Sequence, residues 1–400
     1  MAAKTRFVDN LGDHDGDNPA NWTAGLPRAD YDARIAAVTA CHFSQGYTCL
    51  SLMSESSATT VTFNGGNWTF TDGLRLQSGT IFVTDNMVVD GSLYVGNVPG
   101  SDLSRLSVRF TQARNMEISG AGIPIDAVVW TSPNAACWAQ ISGLNCDLFD
   151  TDGEVRFGSG TAVTVRNCLT IRPGAIVKAA GTNPVFSIQG DIRAEPGTYT
   201  WLAGTGGCRF TGTGDQTLHL GNVEGTFDPV IIEKPAGRLF LENDLVCQSL
   251  EHRSGILDPG GKSITTIGDC RIRPGARLAD SLNGSAWSVG GSLDWQGQDG
   301  DQLVLHGDSP WTLSAMGVAT VRYTDVAFCD ARGGNVINAL DGTSINGGNN
   351  LNWLFPPRQP FAVAAGCVQS PGTVAGIPIV PTAVAGEMFV AAAETGVVHA

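Results

Sequence analysis

Residues 171–192, IRPGAIVKAAGTNPVFSIQGDI, align without a gap on residues 272–293, IRPGARLADSLNGSAWSVGGSL, at an offset of 101, with seven of 22 positions identical. Elsewhere in the alignment one apolar type replaces another: Val177 matches Leu278, Phe186 matches Trp287 and Ile188 matches Val289. Equal apolar positions in distant segments ask for equal surroundings. A stack of equivalent coils offers them at every level, so these positions are read as inward-facing.

A second recurrence supports coils. Ser78-Gly79, Ser159-Gly160 and Ser254-Gly255 each precede a short run of β-branched and apolar residues at period two, closed by an Asn, Asp or Gly corner. A propeller would need a regular blade period, which is missing, and a sandwich would need Asn-Gly or Asp-Gly hairpins throughout. The expected fold class is therefore all-β, a parallel β-helix (solenoid). Coils of roughly 20 to 25 residues would give about 13 to 16 turns and a rod of roughly 65 to 75 Å. Residues 1–30, with Trp22, Leu26 and Pro27 in an irregular stretch, are expected to form an N-terminal cap or attachment segment, and residues 31–355 the solenoid. Residues 356–400 begin with Pro356-Pro357 and continue rich in Ala, Val, Gly and Pro, so an arm or a small β-domain is expected there.

The net charge of −14, from 38 acidic and 24 basic residues, argues against nucleic acid as a partner, because phosphate binding needs a basic surface. The start MAAKTRFVDNLGDHDGD lacks the apolar run of a secretory signal, and no stretch offers the roughly 18 apolar residues of a membrane span, so membrane insertion is not expected.

Three segments carry a resemblance. GDNPANWTAGLPRADYD (residues 16–32) resembles the entry motif of large bacterial surface β-helix proteins. Residues 227–269, from FDPVIIEKPAGRLFLEN to GKSITTIGD, look like their repeat, and residues 321–355, ending in NNLNWLF, are similar to their closing motif. Similar modules occur in bacteriophage tail and head appendages. The resemblance implies an architecture more than an activity.

Candidate chemistry is sparse. Asp147, Asp150, Asp152 and Glu154, and separately Asp299 with Asp301, could supply the paired carboxylates of glycoside cleavage. The Asn-Thr-Asp, Gly-His-Gly and Arg-Ile-Lys signatures of pectin-degrading β-helices are missing, so no catalytic residue is assigned. Asp13, Asp15 and Asp17 alternate like the oxygen ligands of a Ca2+ site, although Ala24 stands where an EF-hand carries its bidentate Glu. The six histidines show neither metal spacing nor a triad, and Gly261-Lys262-Ser263 lacks the rest of a phosphate loop. Trp287, Trp295 and Trp311, with Trp130 and Trp138 on another flank, are candidates for stacking against sugars, though large aromatics also fill coil interiors and subunit interfaces. Cys41 with Cys49 and Cys137 with Cys146 are close enough in sequence for local disulfides, whereas Cys168, Cys208, Cys247 and Cys270 sit in strand-like sequence and read as buried thiols.

The expectation is a non-enzymatic structural protein of a bacteriophage virion: a tail or head fibre, a spike or a capsid decoration subunit. It would be assembled in the host cytoplasm, would join other virion proteins as a homo-oligomer, with a trimer favoured, and would bind host surface polysaccharide. The alternatives are a capsule or surface polysaccharide depolymerase, acting as hydrolase or lyase, and a secreted adhesin at the cell surface.

Overall fold

The computed structural model describes residues 3–357, apart from residues 9–10, 12, 14, 36–39, 55–59, 99, 111–114, 121–122, 132–137, 159, 180–182, 203, 205, 225 and 280–281. The expected C-terminal arm, residues 358–400, lies outside the described residues.

The chain is an all-β parallel solenoid of about 14 turns, with a single short 3-10 helix at Pro19–Asn21 among the described residues. A turn lays down up to three strand segments, some of them halves of one longer strand, and each segment hydrogen-bonds in parallel to the segment on the same face of the next turn. The result is a three-sided column. Face 1 runs through Met87–Asp90, the second halves of Leu144–Asp152 and Ala162–Ile171, then Asp191–Ala194 and Gln216–His219. Face 2 includes Ala3–Phe7, Tyr31–Ile35, Ser92–Asn97, Met116–Ser119, Trp138–Ser142, Glu154–Phe157 and Ile176–Ala179. Face 3 carries Val185–Ile188, Cys208–Phe210, Cys270–Ile272 and Leu293–Gln296. The ladder starts at Ala3, which pairs with Tyr31, so the first strand falls inside the segment expected to be a cap. The cause is local alternation: Thr5 and Phe7 point inward beneath Ala33 and Ile35. Residues 15–22 still fold over this first turn, with Trp22 buried edge-on to Phe7 at 5.4 Å and its indole N–H donating to Gly16 O at 2.9 Å.

Alternate residues of every strand enter one continuous interior. On face 2, Ala33, Leu52, Leu74, Leu93, Ile118, Ile141 and Phe157 stack directly over one another, all at most 2% exposed. Each such Leu or Ile contributes roughly 1.5–3 kcal/mol of burial. Aromatics fill the wider levels, with Phe43, Phe63 and Trp68 within 4.7–5.4 Å of one another near the start and Phe186, Trp201 and Phe227 at 4.6–5.3 Å spacing further along.

The 101-residue repeat behaves as expected in one respect. Ile171 and Ile272 are both fully buried, as are Phe186 and Trp287, to 1%. Its angular placement is new. Ile171 belongs to face 1, stacked on Ala194, whereas Ile272 sits on face 3, above His252. The repeat therefore encodes how one turn bends, not where on the column that turn lies.

Corners demand glycine where consecutive turns approach most closely. Gly65 has φ +75°, and a Cβ there would lie 1.6 Å from the Ser44 carbonyl oxygen one turn away. Gly65→Ala is expected to lose about 2–3 kcal/mol of unfolding free energy, read from a urea titration. An unchanged midpoint would mean the corner is more open than described.

Candidate functional site

The structure relocates most of the residues singled out from sequence. Trp287, Trp295 and Trp311 are 1%, 0% and 1% exposed, so none presents a ring face to a sugar. Trp287 packs edge-on against Trp295 at 5.4 Å, Trp295 Nε1 donates to Cys270 Sγ, and Trp311 Nε1 donates to Ala327 O at 2.9 Å. They are core. Trp130 is also fully buried.

Cys41, Cys49 and Cys146 are buried thiols outside any disulfide, which corrects the Cys41–Cys49 disulfide; Cys137 lies outside the described residues. Cys41 and Cys49 alternate inward on strands of different faces, facing core rather than each other. Burial pushes the Cys49 thiol up to about 12, which keeps it protonated and unreactive.

Asp13, Asp15 and Asp17 spend their oxygens on donors. Asp13 Oδ1 accepts from the Asp15 amide at 3.0 Å and from Asn21 Nδ2 at 2.6 Å, and Asp15 Oδ1 accepts from the Asp17 amide at 2.9 Å. Asp17 takes the Ser44 amide at 2.6 Å and the Tyr47 hydroxyl at 2.9 Å. These bonds tie the amino-terminal loop to the following turns. Among the described residues no group of three or more His, Cys, Asp or Glu side chains gathers as a metal site.

The acidic cluster around residue 150 does not converge either. Asp147 pairs with Arg166 at 2.6 Å, Asp150 with Arg172 at 2.6 Å, and Glu154 with Arg156 and Lys178 at 2.5 and 3.4 Å. Asp147 and Asp150 lie on different stretches of one strand, and Glu154 is on the next face. Asp301 meets Arg277 at 3.3 Å.

Two of the grooves on the outside gather charged and aromatic side chains. One, of about 450 Å³, crosses face 2 between Ser51 and Ser119. Its centre is Tyr94, 38% exposed, with the Arg75 guanidinium 4.7 Å from the ring centroid one turn below and Glu117 and Ser119 on the turn above. Further along the same face, Arg156 stands 3.8 Å from the Trp138 ring centroid, a second arginine–aromatic pair. Sequence reading overlooked Tyr94. The signal was its place between inward Leu93 and Val95, which turns the ring outward. The other groove, of about 780 Å³, runs along face 1 from Asp150 to Glu242 past Arg172, Arg193 and His219.

Among the described residues, Lys234, His252 and Asp228 are buried away from both grooves. Lys234 is 1% exposed, its Nζ donating to Gly212 O at 2.9 Å, Gly214 O at 2.8 Å and Gln216 Oε1 at 2.6 Å. His252 is fully buried, with Nε2 3.1 Å from Gly255 O, and burial drives its pKa down to about 4. Asp228, 3% exposed, is raised by burial to about 7 against the opposing effects of the Trp201 indole and the Gly204 amide.

Compared with protein-family models, curated proteins and solved structures, the chain matches none. Among the described residues no helix is long and apolar enough to cross a membrane.

Proposed function

We propose that the chain is a non-enzymatic structural subunit of a bacteriophage particle, a fibre, spike or decoration protein, whose solenoid displays a glycan-binding surface on face 2. The solenoid fold is compatible with such a role, and the Tyr94 groove carries the reading. An exposed aromatic ring backed by a guanidinium, with a carboxylate and hydroxyls beside it, offers a sugar an apolar face to stack on and polar groups for its hydroxyls. The site is built on rigid ladder strands, so its groups stay in register with those of neighbouring turns. The role needs no cofactor. Assembly with other virion proteins, as a homo-oligomer and with a trimer favoured, belongs to the same proposal.

Two experiments test it. Mass spectrometry of purified particles should contain the chain in stoichiometric amount; its absence would remove the virion setting. On a panel of surface polysaccharides from host strains, Tyr94→Ala should weaken binding about tenfold without lowering stability, as expected for loss of one stacking aromatic. Equal binding by the variant would reject the groove. New reducing or unsaturated ends after incubation with the bound polysaccharide would instead favour a depolymerase.

A further inference from the structure

We infer that the face 1 groove holds the carboxylate of an acidic sugar unit through Arg193. The inference rests on the glycan-binding reading but concerns a different face and different residues. Outward residues of face 1 stack as Asp150, Thr170, Arg193 and His219 on successive turns. The acids that line the groove are already engaged. Arg172 clamps Asp150 with Nε at 2.8 Å and Nη2 at 2.6 Å, and its Nη1 reaches Glu195 at 3.4 Å. His219 Nδ1 lies 2.9 Å from Glu242 Oε2, and Asp191 Oδ1 accepts the Thr217 amide at 2.7 Å. Arg193 is different. It is exposed, it lines the groove, and it meets no anion within 4.0 Å among the described residues.

A guanidinium with its fork free recognises a planar carboxylate by two parallel hydrogen bonds. Thr170 on one side and His219 on the other add a hydroxyl and a ring nitrogen. With Nδ1 engaged by Glu242, Nε2 is the nitrogen of His219 left for a ligand. The surrounding carboxylates select what else the ligand can be. Asp150, Glu195 and Glu242 would repel a densely charged chain such as nucleic acid, yet they accept hydrogen bonds from sugar hydroxyls. A glycan bearing single carboxylates among many hydroxyls satisfies both demands. Successive turns present their groups about 4.8 Å apart along the column, close to the advance of one hexose unit.

The test uses the full chain, an oligosaccharide that carries one glucuronic acid among neutral hexoses, and the same oligosaccharide as its neutral methyl ester, followed by calorimetry. The unmodified protein should bind the free acid more tightly than the ester, and the preference should shrink as salt is raised. Arg193→Ala should weaken free-acid binding about 10- to 100-fold while leaving ester binding and the unfolding midpoint unchanged. Arg193→Lys should keep only part of the preference. Tyr94→Ala should leave it intact, which separates failure of the face 2 reading from failure of this one. A free-acid preference that survives in Arg193→Ala, or its lack in the unmodified protein, would overturn the inference.

Discussion

Lys234→Met should lower the unfolding free energy by about 3–5 kcal/mol, the range seen when one member of a buried charged network is removed. The side chain is of similar length, so packing alone does not set the cost. Three acceptors do. Gly212 O, Gly214 O and Gln216 Oε1 would each lose a charge-assisted donor in a place that water does not reach. Gln216 passes the effect onward, because its Nε2 donates to Ile188 O and Gly190 O one turn below. The network thus joins the corners of three successive turns. Burial lowers the Lys234 pKa, and Asp215 and Asp191 work against that loss. Pairing the change with Gln216→Met removes one acceptor as well, so the double variant should lose less than the sum of the two single changes. A urea midpoint unmoved in Lys234→Met would mean that the lysine reaches solvent and that the corner is held some other way.

The second large effect concerns pH. His252 has a folded pKa of about 4 against an ordinary value of 6.5. The unfolded chain therefore binds the extra proton between those values, and stability falls as pH drops from 6.5 towards 4. Asp228 has a folded pKa of about 7 against 3.8. There the folded protein retains the proton while the unfolded chain releases it, so stability falls as pH rises from 3.8 towards 7. Each group shifts stability by about 3–4 kcal/mol across its window, with opposite sign. Over the shared interval the two effects largely cancel. The unmodified protein should show a shallow profile between about pH 4 and 6.5. Asp228→Asn should expose the histidine's slope, with stability rising through that interval and a gain at pH 8. His252→Gln should expose the opposite slope, with stability declining up to pH 7. Parallel profiles for all three proteins, from urea titrations at half-unit pH intervals, would contradict the burial of both groups.

The residues show why the column was legible and its surface less so. Inward positions announce themselves by alternation and recurrence, as Ile171 with Ile272 and Phe186 with Trp287 do. The Phe186 match already put Trp287 in the interior, so its reading as a sugar platform conflicted with the repeat that predicted the fold. Angular position was hidden because turns differ in length: Ile141 stacks on Phe157, whereas Ala3 stacks on Tyr31. Without a constant period, sequence does not say which side chains from separate turns become neighbours. Arg75 meets Tyr94 and Arg172 meets Asp150 only because intervening loops have the lengths they do. Lys234 shares the inward parity of Val230 and Ile232, but a charge at such a position reads as exposed until the acceptors that hold it are in view.

Spin-label distances along face 3 test the column most directly. The outward positions Thr164, Ser187, Arg209, Ile231, Glu251, Arg271, Asp294 and Thr320 follow one another turn by turn. With about 4.8 Å per turn, labels at Ile231 and Thr320 should lie roughly 19 Å apart and labels at Thr164 and Thr320 roughly 34 Å apart. Distances that grow in this linear way are the predicted result. A Thr164–Thr320 distance no longer than that from Ile231 to Thr320, as strands folded back on one another would give, would contradict the parallel column.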